Sequence, residues 1–145
     1  MNFMQIKEQL FTRWSVLILI VLLSSNAFAI DVNEILKMDY PIARGQHVVR
    51  AGQFQYFVFR VPPTGSKVTG QFMVAQHDIE VTIMDANGFM IWSRGNATFT
   101  YYFSGRVNAG SIDVNLSPGD YYLVVNNKYS VFTPKTFVID VKQTF

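Results

Sequence analysis

Between Leu116 and Lys142 the chain alternates, halts at a polar corner and alternates again, and no amphipathic helix can be drawn through it. The stretch opens on Ser117-Pro118-Gly119-Asp120. Proline presets φ for the second position of a turn, and glycine accepts the positive φ that can follow. In Tyr121-Tyr122-Leu123-Val124-Val125 both alternating faces are apolar or aromatic, as in a central strand covered on two sides. Asn126-Asn127-Lys128-Tyr129-Ser130 then breaks the pattern, because Asn side chains bond to nearby backbone and tolerate left-handed conformations. From Thr136 to Lys142 the period of two returns. Phe137, Ile139 and Val141 share one face; Thr136, Val138, Asp140 and Lys142 share the other, as in a half-solvated strand.

The rest of the chain repeats this grammar. Residues 46–50 read as a short strand turned by Ala51-Gly52. Residues 53–61 are dense in aromatic and β-branched side chains, which suit a pleated surface, and Pro62-Pro63-Thr64-Gly65 ends them. Residues 66–76 place Val68, Phe72 and Val74 inward, with Gly70 mid-strand where a bulge or a close backbone approach is expected. Residues 78–84 alternate Ile79, Val81 and Ile83 against Glu80 and Thr82. Asp85-Ala86-Asn87-Gly88 predicts a hairpin turn, since Asn-Gly supplies positive φ, with a return strand over residues 89–93 and a second turn at Arg94-Gly95-Asn96. Residues 98–103 read as a strand aromatic on both faces, 105–110 as a loop, and 111–116 as a strand with Ile112, Val114 and Leu116 inward. About eight short strands with Gly, Pro and Asn turns predict an all-β chain, a single jelly-roll-like antiparallel β-sandwich.

The first residues have a different character. Met1 to Arg13 is polar with Lys7 and Arg13, Trp14 to Leu23 is apolar apart from one serine, and Ala27-Phe28-Ala29 is a small-residue cleavage pattern. This is the layout of a secretory signal peptide. The apolar run is about half of the roughly 20 residues that cross a bilayer, so a permanent anchor is the weaker reading. The expected organisation is a signal peptide over 1–29, an extended leader over 30–45, and the sandwich over 46–145. The mature chain is expected to have no transmembrane span and to be exported, to a periplasm or beyond the cell. The formal charge is +2. Without residues 1–29 it falls to about +1, which offers no electrostatic case for nucleic acid. With no cysteine there is neither a disulfide framework nor a lipoprotein anchor, and a chain of this size can bury one core unaided.

Pro118-Gly119-Asp120-Tyr121-Tyr122, a hydrophobic run, Asn126-Asn127-Lys128-Tyr129-Ser130 and then Lys135 before an alternating strand resembles the C-terminal end of GOLD-type domains. Those are jelly-roll-like β-sandwiches of p24 cargo receptors and some lipid-transfer proteins. Asn127, Tyr129, Ser130 and Lys135 fit the family pattern, while Asn126 stands where the family usually has an aspartate. Upstream, the strand from Ala51 to Pro62 and the strand from Asp78 to Asp85 are also similar to bacterial prepeptidase C-terminal domains, another small secreted sandwich. The resemblance implies a domain that binds or accompanies something else and carries no active site. It implies no particular ligand, because these families bind unlike things.

No residue constellation points to a reaction. His47 and His77 lack a second ligand or a nucleophile at a recognised spacing. Asp78, Glu80 and Asp85 could offer oxygens to Ca²⁺, but no loop is dense in carboxylates, and a polar strand face accounts for them. Ser104, Ser111 and Ser130 lie in no nucleophile motif. No metal site or cofactor is therefore expected. Asn96-Ala97-Thr98 matches a glycosylation sequon.

The aromatic residues carry the remaining signal. Phe89, Trp92, Phe99, Tyr101, Tyr102, Phe103, Tyr121 and Tyr122 crowd the middle of the chain. They can fill a core and a covered second face, or they can anchor a partner. Trp92 and Tyr102 are the candidates for exposed anchors. At the polar corner Asn127, Tyr129 and Lys135 could recognise a ligand or could satisfy backbone groups in a packed turn, and the latter is what Asn and Ser most often do there. The functional expectation is an exported, noncatalytic binding module for an unidentified protein, polysaccharide or lipid-bearing envelope component, docking through a sheet face or loop edge. The alternatives are a structural subunit of an envelope or surface assembly and, with less support, a small hydrolase.

Overall fold

The computed structural model describes residues 39–145. The expected signal segment and the first part of the expected leader lie outside them. Among the described residues the chain forms β1 (Tyr40–Val49), β2 (Phe54–Val61), β3 (Ser66–Val74), β4 (Ile79–Asp85), α1 (Ala86–Ser93), β5 (Tyr102–Val107), β6 (Ala109–Leu116), β7 (Gly119–Asn126) and β8 (Lys135–Thr144). The strands make two four-stranded sheets, β1-β8-β3-β6 and β2-β7-β4-β5. Every pairing is antiparallel. Successive strands alternate between sheets except where α1 intervenes, and this interleaving is the jelly-roll order.

The period-two readings survive where a strand is central. Phe137, Ile139 and Val141 of β8 are fully buried against Val68, Phe72 and Val74 of β3, while Val138 is exposed. Opposite them, Ile79, Val81 and Ile83 of β4 and Leu123 and Val125 of β7 close the core from the second sheet. Tyr122 aside, β7 is buried from Tyr121 to Asn126, as a strand covered on both faces should be. Gly70 marks a close approach of two backbones. A Cβ there would overlap the Asp140 carbonyl oxygen and come within 2.6 Å of the Val141 Cα.

Three expectations are corrected. The predicted hairpin turn at 85–88 and return strand over 89–93 are instead a helix, α1. Asp85 has the extended backbone of a helix cap, and its carboxylate accepts a hydrogen bond from the Gly88 N–H at 2.6 Å. Asp at this position satisfies an orphan helix donor, and that outcompetes the Asn-Gly hairpin. The far end closes on Gly95 (φ 90°). Its N–H donates to the Trp92 carbonyl at 2.8 Å and the Asn96 N–H donates to the Ile91 carbonyl at 3.3 Å. This pair of bonds is a Schellman closure.

The expected strand over 98–103 is also displaced: β5 starts only at Tyr102 and runs into the expected loop at 105–110 as far as Val107, and β6 begins already at Ala109. Gly105 (φ 65°) makes this possible. It lies in a bulge where the register slips between Glu80 and Thr82, and the Ser104 hydroxyl there accepts the Val81 N–H at 2.8 Å. A glycine bulge on an edge strand reads like a loop in sequence. Finally, β1 begins at Tyr40 and not at Gln46, so part of the expected leader pairs with β8. Pro41 is tolerated because β1 is an edge strand.

Candidate functional site

One end of the sandwich gathers the β1–β2 turn, the β3–β4 turn and the long β7–β8 connection over residues 127–134. Asn127 fastens the first of these to the third. It is fully buried. Its side-chain amide donates to the Thr133 carbonyl at 2.9 Å and the Arg50 carbonyl at 3.2 Å. Its backbone N–H donates to the Gln53 carbonyl at 2.9 Å, and its own carbonyl accepts from Gly52 and Ser130, each at 3.1 Å. Lys135 fastens the β3–β4 turn. Its side chain is only 3% exposed, and its ammonium donates to the Asp78 carboxylate at 2.9 Å, to the Asp78 carbonyl, and to the Tyr129 hydroxyl at 3.2 Å. The hydroxyl in turn donates to the Asp78 carbonyl at 3.0 Å. The hydrogen bond from Lys135 holds the Asp78 carboxyl below its ordinary value. Burial raises the Tyr129 phenol. The polar corner thus brings Asn127, Tyr129 and Lys135 together, with their polar groups turned inward on the chain itself.

The two aromatic candidates do not share a surface. Tyr102 pairs with Ile83 and packs on the core side of its sheet, where burial raises its phenol pKa. Trp92 lies on the outer side, in α1, edge-on to Phe54 at 5.0 Å. Around it is a cluster that the strand reading of residues 89–93 concealed. Phe89 stacks on Tyr122 at 4.0 Å between ring centres and meets Tyr56 at 5.1 Å. Phe89 and Trp92 lie three residues apart, on one face of a helix. They clamp α1 to its sheet and bury Met84 and Val124 beneath it. Tyr56, Val58 and Met90 stay exposed at the rim, and the Lys128 ammonium sits 5.1 Å from the Trp92 ring centre. Beside Trp92 a shallow groove of about 510 Å³ is lined by Glu80, Asn96, Arg106, Lys128 and Tyr129.

No catalytic arrangement emerges from these residues. Asp78 is taken up by Lys135, Asp85 caps α1, and Glu80 accepts the Asn126 side-chain amide at 2.8 Å. The three carboxylates therefore serve separate structural roles. No group of three or more candidate metal ligands occurs among the described residues. His47 lies between the Phe57 and Phe137 rings, and His77 occupies a tight turn with φ 74°. No described helix is long and apolar enough to cross a membrane.

No protein-family model and no curated protein matches the sequence. Among solved structures, the chain is similar to the pre-peptidase C-terminal domain of a collagenase from Bacillus anthracis, at 13% identity and a TM-score of 0.45, over 68% of this chain and 89% of that one. It is also similar to part of an arabinose-bound GH51 α-L-arabinofuranosidase, at 10% identity and a TM-score of 0.34; 68% of this chain spans 19% of that one. The pre-peptidase C-terminal domain is one of the two domain types that the strands around Phe57 and Val81 resemble in sequence. The jelly-roll assignment itself rests on the strand order.

Proposed function

We propose that this chain is an exported, noncatalytic binding module that docks a protein of the cell envelope through the outer face of the β2-β7-β4-β5 sheet and α1. The observation that carries this reading is the half-exposed aromatic surface of Phe54, Tyr56 and Trp92 with Val58 and Met90 at its rim. Tyr, Trp, Phe and Met are the side chains enriched at protein interfaces, and here they stand on β2 and on the helix clamped to its sheet, which need no rearrangement to present them. The polar corner supports the surface and holds Lys128 beside it; it is not the contact itself.

The test is affinity retention from native envelope extract, comparing wild type, Tyr56→Ala/Trp92→Ala and Tyr102→Ala, with folding checked by circular dichroism. A partner kept by wild type and by the inner-face variant Tyr102→Ala, and lost by the folded outer-face double variant, is the expected result. Equal retention by all three would move the contact off this face.

A further inference from the structure

Five basic side chains of the sandwich reach a carboxylate: Arg44 with Asp140, Arg60 with Asp120, Lys67 with Asp113, Lys135 with Asp78, and Lys142 with Asp39. The other four, Arg50, Arg94, Arg106 and Lys128, form no ion pair among the described residues, and all four belong to one end of the molecule. The Arg50 carbonyl is bonded to Asn127. The Arg106 guanidinium lies 3.9 Å from the centre of the Tyr129 ring. Lys128 and Arg106 line the groove that Gly95 also lines, and Gly95 follows Arg94 at the end of α1. Of the carboxylates at this end, Asp78 is paired with Lys135, and Glu80, held by the Asn126 amide, is the single carboxylate in the groove beside Arg106 and Lys128.

The same end carries the most exposed large apolar side chains of the described residues, Val131 at 74% and Phe132 at 89%. They are not on a fraying segment. The Ser130 hydroxyl donates to the Thr133 carbonyl at 3.0 Å, the Asn127 amide reaches the same carbonyl, and the Gly52 N–H donates to the Ser130 carbonyl at 2.7 Å. Both flanks of the apolar pair are therefore fastened, and the pair is held out into solvent. An apolar pair presented this way marks a contact surface.

We infer that this end seats on an anionic lipid bilayer, with Val131 and Phe132 entering the headgroup–acyl boundary and Arg50, Arg94, Arg106 and Lys128 lying over the lipid phosphates. The charge complementarity is specific to this end, since elsewhere each cation has its own carboxylate. The apolar tip gains by leaving water, and each cation near an anionic surface adds attraction. This contact shares Lys128 with the rim of the aromatic sheet face but none of that face's apolar side chains, and its failure would leave that reading standing.

The chain has no cysteine, so Phe132→Cys offers a single attachment point for a nitrobenzoxadiazole fluorophore in the full-length protein. With vesicles of phosphatidylglycerol and phosphatidylcholine, the label at 132 should shift to the blue and brighten several-fold. A label at Met73→Cys, on the outer face of β3, should not respond. Arg50→Gln/Lys128→Gln in the labelled protein should weaken the response more than tenfold, at about fivefold per cation. The inference is overturned if the label at 132 stays unchanged on anionic vesicles, if pure phosphatidylcholine gives the same response, or if position 73 responds equally. A chain brought to the vesicles by any other segment leaves the label at 132 in water and so counts against it.

Discussion

The base and the tip of the β7–β8 connection are built on opposite rules. At the base, Asn127 and Lys135 are buried, and their donors are spent on carbonyls, a carboxylate and a phenol of the same chain. At the tip, Val131 and Phe132 make up the largest apolar exposure in the described residues. A stable fold needs the first arrangement and has no use for the second. Polar groups turned inward beside apolar groups turned outward indicate that the base carries the structure and the tip is kept for something else.

The largest break in this comparison should come from Asn127→Ala. It removes the amide that ties the Thr133 carbonyl to the Arg50 carbonyl, leaving each with its local donor only, the Ser130 hydroxyl and the Gln53 N–H. This frees the connection and should cost about 2 kcal/mol, read as a lowered midpoint in urea unfolding. A loss below about 0.5 kcal/mol would mean that water replaces the amide and the base is not a structural pin.

Lys135→Met keeps the buried stem and removes the ammonium. It should cost about 1–2 kcal/mol, less than a fully buried pair would, because the Asp78 carboxylate is 43% exposed and water solvates what remains. The same contact has an acid signature. The Asp78 pKa is lowered in the folded state, chiefly by its hydrogen bond from Lys135. The folded chain therefore binds this proton less readily than the unfolded chain. The stabilisation is present above the ordinary aspartate value of about 3.9 and is lost as pH falls through the lower folded value. Acid unfolding followed by circular dichroism should show a shallower loss below about pH 4 in Asp78→Asn than in wild type. Parallel curves would remove Asp78 from the acid response.

The smallest expected effect belongs to the tip. Val131→Ser/Phe132→Ser should change stability by no more than about 0.5 kcal/mol, while abolishing any vesicle contact. A loss of 2 kcal/mol or more, well beyond the roughly 0.5 kcal/mol of an ordinary surface change, would show that these side chains pack against the fold and erase the contrast between base and tip.

The legible parts of the fold were those set by local pattern. Phe137, Ile139 and Val141 face the core because a pleated strand turns alternate side chains the same way. The two-sided burial of β7 was readable for the same reason. So was the structural use of the polar corner, since Asn and Ser bond to nearby backbone. What failed was local pattern with two solutions. Asp85-Ala86-Asn87-Gly88 can be a hairpin turn or a capped helix start, and the choice fell to the helix once Phe89 had Tyr122 to stack on. Gly105 can mark a loop or a bulge, and β4 beside it made it a bulge.

The candidate site was half visible for a related reason. Asn127, Tyr129 and Lys135 are close in sequence, and their grouping followed from that. Their partner Asp78 and the cations Arg50, Arg94 and Arg106 come from four other connections or strands, and only the meeting of the β1–β2 turn, the β3–β4 turn, the end of α1 and β5 at one end brings them together. Trp92 and Tyr102 looked alike in sequence and were divided by the sheet, one outside and one in. By itself the sequence determined an all-β chain with alternating inner faces and a polar corner, because those follow from backbone geometry and side-chain type over a few residues. Which aromatics face water, and which cations are left without a carboxylate, were decided only by the tertiary structure, because burial and ion pairing depend on neighbours that lie far apart along the chain.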